Sequence, residues 1–384
     1  MALIKSRLNI GLIIGENSHN FLSFDEYAEH FLLPFSPRFC NIDFSISSLN
    51  SIGIKHIVIF VRRDKDIVLD YLVRGWPDMR FYVFDYIDIK EKFTEFLSDF
   101  SKDYVPERVI IMKGNYPIWF HIDSIKPHLL KSLNVGIKTR YGNKILYCGL
   151  VLDMKIFLRK YESFFMEESS LDVDLIEKIV KEFSIPSVEA NGYVMPFNSL
   201  REYYDVHMGM IKDYLTLDKF NAYIPVRGNT SIVNSSMIGK GAHVKNIIFG
   251  ENVEINGVVE NSVIFSNVKI RRHAIIKNSL ILPGNHIGSN AVIINSIIDE
   301  YSGDSSQPNI ESHAVIGSES ASRVNDNFSE ILNFGVTLIG KDVRIPSGLK
   351  VGANCFIDSF VSYPLLKSRK VLRDGSSILN KGNN

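Results

Sequence analysis

Cysteine is scarce in this 384-residue chain: there are three, Cys40, Cys148 and Cys355, odd in number and far apart. That excludes a disulfide framework and any CxxC metal knuckle, and fits reduced thiols. Charge of one sign is lacking too. Lys plus Arg and Asp plus Glu both number 43, so no bulk field draws nucleic acid or anionic lipid, and neither is expected as a partner. No apolar run approaches the length of a membrane span. The opening MALIKSRLNIGLIIGENS has two basic residues but too short an apolar core for a signal peptide, so a first strand and a cytoplasmic location are expected. HExxH and G-x-S-x-G are both missing, which removes the usual zinc-peptidase and serine-hydrolase signatures.

What is present divides the chain in two. At 45% hydrophobic and 22% charged it can bury a full core, and its length suits two domains. Over residues 1–222 apolar strands (LNIGLIIG, HIVIFV, RFYVFDY, RVIIM) alternate with helix-period segments (FDEYAEHFL, KDIVLDYLVRG, IKEKFTEFLSDF, IDSIKPHLLKSL, SSLDVDLIEKIVKEF, SLREYYDVHMGMIKDYL). Such alternation predicts an α/β, Rossmann-like domain around a mostly parallel sheet. Over residues 223–384 helix signals nearly vanish and a period of six takes over. Its anchors are Ile232, Ile238 and Val244, then Phe249 and Ile255, then Ile264, Ile270, Ile276 and Leu282. Ile287 and Ile293 follow, then Ile339, Ile345, Val351 and Ile357. Small or apolar partners follow four residues later at Ala242, Val268, Ala274, Ala291, Val343 and Leu349. A hexad gives one short strand and three hexads one triangular coil, which predicts a left-handed parallel β-helix with loops at 301–309 and 318–334. A β-sandwich would show period-2 alternation instead.

Two stretches carry a family resemblance. LPFSPRFCNIDFSISSLNSIGIKHIVIF (33–60) resembles the ADP-glucose pyrophosphorylase segment FGGRYRIIDFxLSNxxNSGI. Arg38, Ile42, Asp43, Phe44, Ser47, Asn50, Gly53 and Ile54 fall in register, and Arg74-Gly75-Trp76 has a counterpart. NGVVENSVIFSNVKIRRHAIIKNSLILP (256–283) resembles GxVENSVxFRGVxVGxGAxVKNSIIxx. The chain thus resembles the sugar-phosphate nucleotidyltransferases, which join an α/β nucleotidyltransferase domain to a hexapeptide β-helix.

The resemblance fails where the chemistry lies. The family's GGxGxRL loop wraps a triphosphate with backbone N–H groups. Here that place reads IGENSHNFLSF, with one glycine (Gly15), an anionic Glu16 and no arginine. GTADA and EKP have no counterpart. Lys113-Gly114-Asn115 aligns with SGD, whose acid binds Mg²⁺, and Pro196-Phe197-Asn198-Ser199 with DVGT, so Asn115 and Asn198 stand as degenerate positions without a carboxylate. Mg²⁺ wants anionic oxygen ligands. Losing such electrostatic groups costs about 10³-fold in rate.

The resemblance is therefore strongest to the non-catalytic, D-type regulatory subunits of bacterial glucose-1-phosphate adenylyltransferase. It implies a heterotetramer with a catalytic subunit, Mg²⁺ bound in that partner and no cofactor in this chain. It also implies a shared product, ADP-glucose made from ATP and glucose 1-phosphate for glycogen synthesis.

Further residues are candidates for roles of their own. Arg38 is a candidate for a phosphate-bearing effector, with an ion pair to Asp43 as the plain alternative. Arg74 and Trp76 are interface candidates, since both types favour such sites; a Trp covering the sheet is the alternative. Asp123 or Asp153 would be substitute metal ligands in an active nucleotidyltransferase. A hexapeptide acyltransferase would use His243, His273, His286 or His313, all expected to point outward as surface histidines. Arg62–Asp66, and the acids Asp172, Asp174 and Glu177, read as solvated charge at a strand end and a helix start.

Overall fold

The protein is described from a computed structural model covering residues 6–15, 21–27, 30–85, 89–120, 125–128, 134–161, 175–212, 235–304 and 306–380. The boundary drawn at residue 222 lies outside these residues, as do Glu16, Asp123, Asp172, Asp174 and Ile232.

The N-terminal unit runs β1 (Ser6–Ile14), β2 (Pro34–Phe35), β3 (Phe39–Cys40), α1 (Asn41–Ser51), β4 (His56–Val61), α2 (Lys65–Gly75), β5 (Arg80–Asp85), α3 (Ile89–Asp103) and β6 (Tyr104–Lys113). It continues with β7 (Ile118–Phe120), β8 (Val135–Tyr141), β9 (Lys144–Asp153), α4 (Leu175–Glu182), β10 (Ser187–Glu189), β11 (Gly192–Val194) and α5 (Leu200–Lys212). Seven strands form one sheet in the order β10-β8-β9-β6-β1-β4-β5. The β6-β1-β4-β5 segment is parallel, and β9 runs antiparallel to both β6 and β8. The segment FDEYAEHFL is not the regular helix that its spacing predicts; a 3-10 turn, Leu22–Glu26, covers only its start, and none of its described residues is in an α-helix.

The strands are apolar on both faces because helices cover both. Every side chain of β4 is buried. One face packs Phe60, Phe93, Phe100, Phe157 and the apolar stripe of α4. The other faces α1 and α2 and merges with the C-terminal unit, since Val263, Phe265, Leu280, Leu282, Ile297, Leu338 and Phe356 belong to the same core as Ile57, Phe44 and Trp76.

The C-terminal unit is a curled parallel sheet, consistent with the expected left-handed β-helix. Rungs stack as Ile238-Ile255-Ile270-Ile287 on one face, Val244-Val259-Ile276-Ile293-Ile316-Val351-Leu372 on the second, and Phe249-Ile264-Ile281-Ile298-Ile339-Ile357-Ile378 on the third. Asn246, Asn252, Asn261, Asn267, Asn278, Asn290 and Asn295 all take positive φ between 45° and 64°. Asparagine tolerates that region, and its amide bonds the next rung: Asn246 Nδ2 to Asn261 Oδ1 at 3.0 Å, Asn278 Nδ2 to Asn295 Oδ1 at 3.1 Å. One anchor is corrected. Ile281, not Leu282, pairs with Ile264 and joins the axial core, while Leu282 turns to the interdomain core.

Candidate functional site

In an open parallel sheet the ligand crevice lies beyond the carboxyl ends of the strands, at the switch point. Here that point is between β1 and β6, where Gly114 N–H donates to Ile14 O at 2.9 Å. A side chain at Gly114 would force its neighbours to shift: a Cβ would sit 2.5 Å from Ile13 Cγ2 and 2.9 Å from Phe31 Cε1. The fully buried Phe31 ring therefore packs onto the place where a ligand would approach the backbone. Phe21, Phe24, Phe35 and Phe197 are buried in the same core as Phe31, with Phe21 edge-on to Phe197 and tilted against His30.

Asn115 is 4% exposed, and its backbone O accepts from Asn41 Nδ2 at 2.8 Å. Its own Oδ1, like that of Asn41, is buried without a hydrogen-bond partner. Asn198, by contrast, is exposed. Its N–H donates to Glu202 Oε2 at 2.6 Å while Ser199 Oγ accepts from Glu202 N, so the segment serves as the N-terminal cap of α5. One neutral amide oxygen and one helix cap are not a donor set for Mg²⁺. Among the described residues no group of three His, Cys, Asp or Glu could hold a metal ion.

Asp153 does not make good the loss. It pairs with Arg108 near the beginning of the buried part of β6, five residues before Lys113 and hence about 17 Å from the carboxyl end at strand rise. Its Oδ1 caps the following turn, accepting from Lys155 and Ile156 N–H.

Three sequence expectations change. Trp76 is 0% exposed and its Nε1–H donates to Asp43 Oδ1 at 3.0 Å, so it is a core residue and not an interface anchor. Asp43 is saturated by Tyr71 OH, Trp76 and the Cys40 N–H, and is therefore not the partner of Arg38. Arg38 instead lies across the interdomain contact, 3.5 Å from Glu251 Oε1 and 53% exposed, while Arg74 pairs with Asp70 on the surface of α2. Of the four histidines, His243, His273 and His313 are exposed, the last two at positive-φ corners, but His286 is buried.

Residues 21–27 reach across to the β-helix as a strut. Tyr27 OH donates to Asp299 Oδ1 of the β-helix at 2.7 Å, and Ser23 Oγ reaches the same carboxylate at 3.4 Å. Lys341 ties the neighbouring Glu300 at 3.2 Å and stands 5.3 Å over the Tyr27 ring. No sequence motif marks this node, because its members are more than 270 residues apart.

Burial pushes the Asp299 carboxyl up from 3.8 to about 7, against the lowering effect of the Tyr27 hydrogen bond. Asp43 is raised to about 7 by the same cause, and His207 is pushed down to about 4. Between pH 4 and 7 the folded chain holds carboxyl protons that the unfolded chain has lost, so each acid makes stability fall as pH rises, levelling off above 7. His207 acts in the opposite sense up to pH 6.5, because there only the unfolded chain carries its proton. Asp299→Asn keeps the oxygen that Tyr27 bonds and removes one titration. In urea unfolding from pH 4 to 8, the wild-type stability minus the variant's is expected to fall by up to about 1.4 kcal/mol per pH unit below 7. Parallel curves would contradict this.

Comparison with known proteins adds the relatives. Residues 226–339 match the family described as GlmU-like, C-terminal hexapeptide. The chain is 35% identical over 209 residues to the glucose-1-phosphate adenylyltransferase of Pseudothermotoga lettingae, covering 54% of this chain and 48% of that protein. It is 32% identical over 103 residues to that of Mycoplasma mobile, covering 27% of each. It is 21% identical over 329 residues to that of Fusobacterium nucleatum, covering 71% of this chain and 85% of the relative. The chain thus spans half or less of the length of the first two relatives. Among the described residues no helix is long and apolar enough to cross a membrane.

Proposed function

We propose that this homologue of glucose-1-phosphate adenylyltransferases is a non-catalytic regulatory subunit. It acts by assembly with a catalytic subunit, as a heterotetramer that makes ADP-glucose and diphosphate from ATP and glucose 1-phosphate. One observation carries the reading: the buried Phe31 ring lies on Gly114 at the β1/β6 strand ends, beside a neutral Asn115. A pocket for two phosphorylated reactants needs room, cations and a metal, since nucleotidyl transfer depends on positioning and charge stabilisation. Mg²⁺ and the chemistry belong to the partner, with the cytoplasm as the setting.

Regulation then means that contacts of this chain favour one state of the partner by a coupling of about 1–3 kcal/mol. Arg38, half-exposed where the two units meet, is the candidate for a phosphate-bearing effector, and exposed Arg74 stays a candidate contact for the partner. An active nucleotidyltransferase using Asp153 is disfavoured by that residue's place beside Arg108, midway along β6 and away from its carboxyl end.

The test is to purify the chain with a catalytic glucose-1-phosphate adenylyltransferase of the same organism. Co-elution as one species is expected, with kcat, KM or effector response of the partner changed about 5- to 150-fold. Separate elution with unaltered kinetics would overturn the proposal.

A further inference from the structure

The β-helix carries a polar pocket of about 300 Å³ on its first face, far in sequence from the strand-end crevice and lined by Glu254, Asn256, Lys269, Arg271, His286 and Ser306. Its volume is at the small end of ligand sites. Register builds it: Glu254, Lys269 and His286 occupy one column on successive rungs.

His286 is the unusual member. An outward side chain on a solenoid face is ordinarily solvated, yet His286 is 5% exposed. The loop at 301–309 returns Asn309 to the solenoid, where its Oδ1 accepts from the His286 N–H at 2.7 Å and its Nδ2 donates to Asn285 Oδ1 at 2.8 Å. The same loop brings Ser306 to the pocket. Arg271 Nε–H donates to His286 Nε2 at 2.9 Å, so that nitrogen presents a lone pair and the ring holds the guanidinium in place without competing charge. Among the described residues none bonds the terminal nitrogens of Arg271, which leaves both for another group. Neither Arg271 nor Lys269 forms an ion pair with a described residue, and Glu254 Oε1 accepts from Asn256 Nδ2 at 2.7 Å. Two cations face one carboxylate, so the lining is positive by one charge.

We propose that this pocket binds the phosphate group of a small molecule, with the Arg271 fork and the Lys269 ammonium as ligands and His286 positioning Arg271. A planar guanidinium matches phosphate oxygens bidentately, and charge-assisted bonds of this kind are about twice as strong as neutral ones. The site neither requires the regulatory role proposed above nor depends on a partner chain.

The test titrates the full chain, at constant ionic strength, with inorganic phosphate, glucose 1-phosphate and AMP, read by calorimetry and thermal shift. Saturable binding of at least one is expected, weakened tenfold or more in Arg271→Gln and weakened as well in His286→Phe, which keeps the charges but removes the acceptor that orients Arg271. Arg140→Gln, which removes an exposed cation paired with Glu189 on the sheet domain, is expected to bind like the wild type. The compound bound most tightly identifies whether free phosphate, a sugar phosphate or a nucleotide is the source. No saturable binding up to about 10 mM, weaker than ordinary specific affinities, or binding untouched by Arg271→Gln, would overturn the proposal.

Discussion

Phe31→Ala is expected to lower the unfolding free energy by about 3–5 kcal/mol, the range for deleting a fully buried ring that the surroundings cannot replace. The ring is 0% exposed and lies within van der Waals reach of the Gly114 backbone, and the Phe31 carbonyl accepts from Ile42 N–H at 3.1 Å. Collapse is restricted by the strand end at Gly114 and by a shared core whose other rings, Phe21, Phe24 and Phe35, already make aromatic contacts of their own. Gly114→Ala strains the same place from the opposite direction, and in the Phe31→Ala background one of its two close contacts is gone. The pair is therefore expected to be non-additive. Urea unfolding of the two single variants and the double variant measures it. A Phe31→Ala loss below about 1 kcal/mol would mean that the crevice is not packed as described.

Trp76→Ala is expected to cost a similar amount, about 3–5 kcal/mol, through its large buried volume. A second effect adds to the first, because Asp43 then loses the indole N–H that helps to hold its carboxylate in an apolar setting. Trp76→Phe separates the two: it restores much of the volume and leaves the missing donor, worth about 1–3 kcal/mol. The carboxyl, already lifted to about 7 by burial, would be lifted further without that donor, so the Trp76→Phe penalty should shrink as pH falls below 7. The interface reading of Trp76 makes a different forecast, in which assembly changes while the stability of the isolated chain does not. Thermal unfolding of the chain alone decides between them.

The parts legible in the sequence are those whose cause is local. Hexad anchors repeat because every rung meets the same axial core, so Ile264, Ile270, Ile276 and Ile287 announce themselves. Alternating strands and helices likewise give the sheet. The coil length is less regular: Ile264 pairs with Ile281, seventeen residues on, and a strict count of six reaches Leu282 instead.

The candidate site was legible as a set of losses but not as a filled space. Nothing in the spacing of Phe31 and Gly114 says that this ring meets the end of β6, because the contact is made by tertiary packing across more than eighty residues. Trp76 misled for a similar reason, since residue type favours interfaces while burial is decided by Asp43 and Tyr71 on other elements. His286 occupies an outward slot in the repeat, yet Asn309 and Ser306 of the interruption return to its side, which the repeat itself does not describe.

The central claim is that a strand-end crevice occupied by Phe31 and furnished with Asn115 in place of an acid cannot gather ATP, glucose 1-phosphate and Mg²⁺. The direct measurement is diphosphate release by the purified chain alone, with both substrates and Mg²⁺ present and any catalytic homologue rigorously removed. The account predicts release no faster than in the protein-free control; turnover at about 1 s⁻¹ or more, within the ordinary range of enzymes, would contradict it.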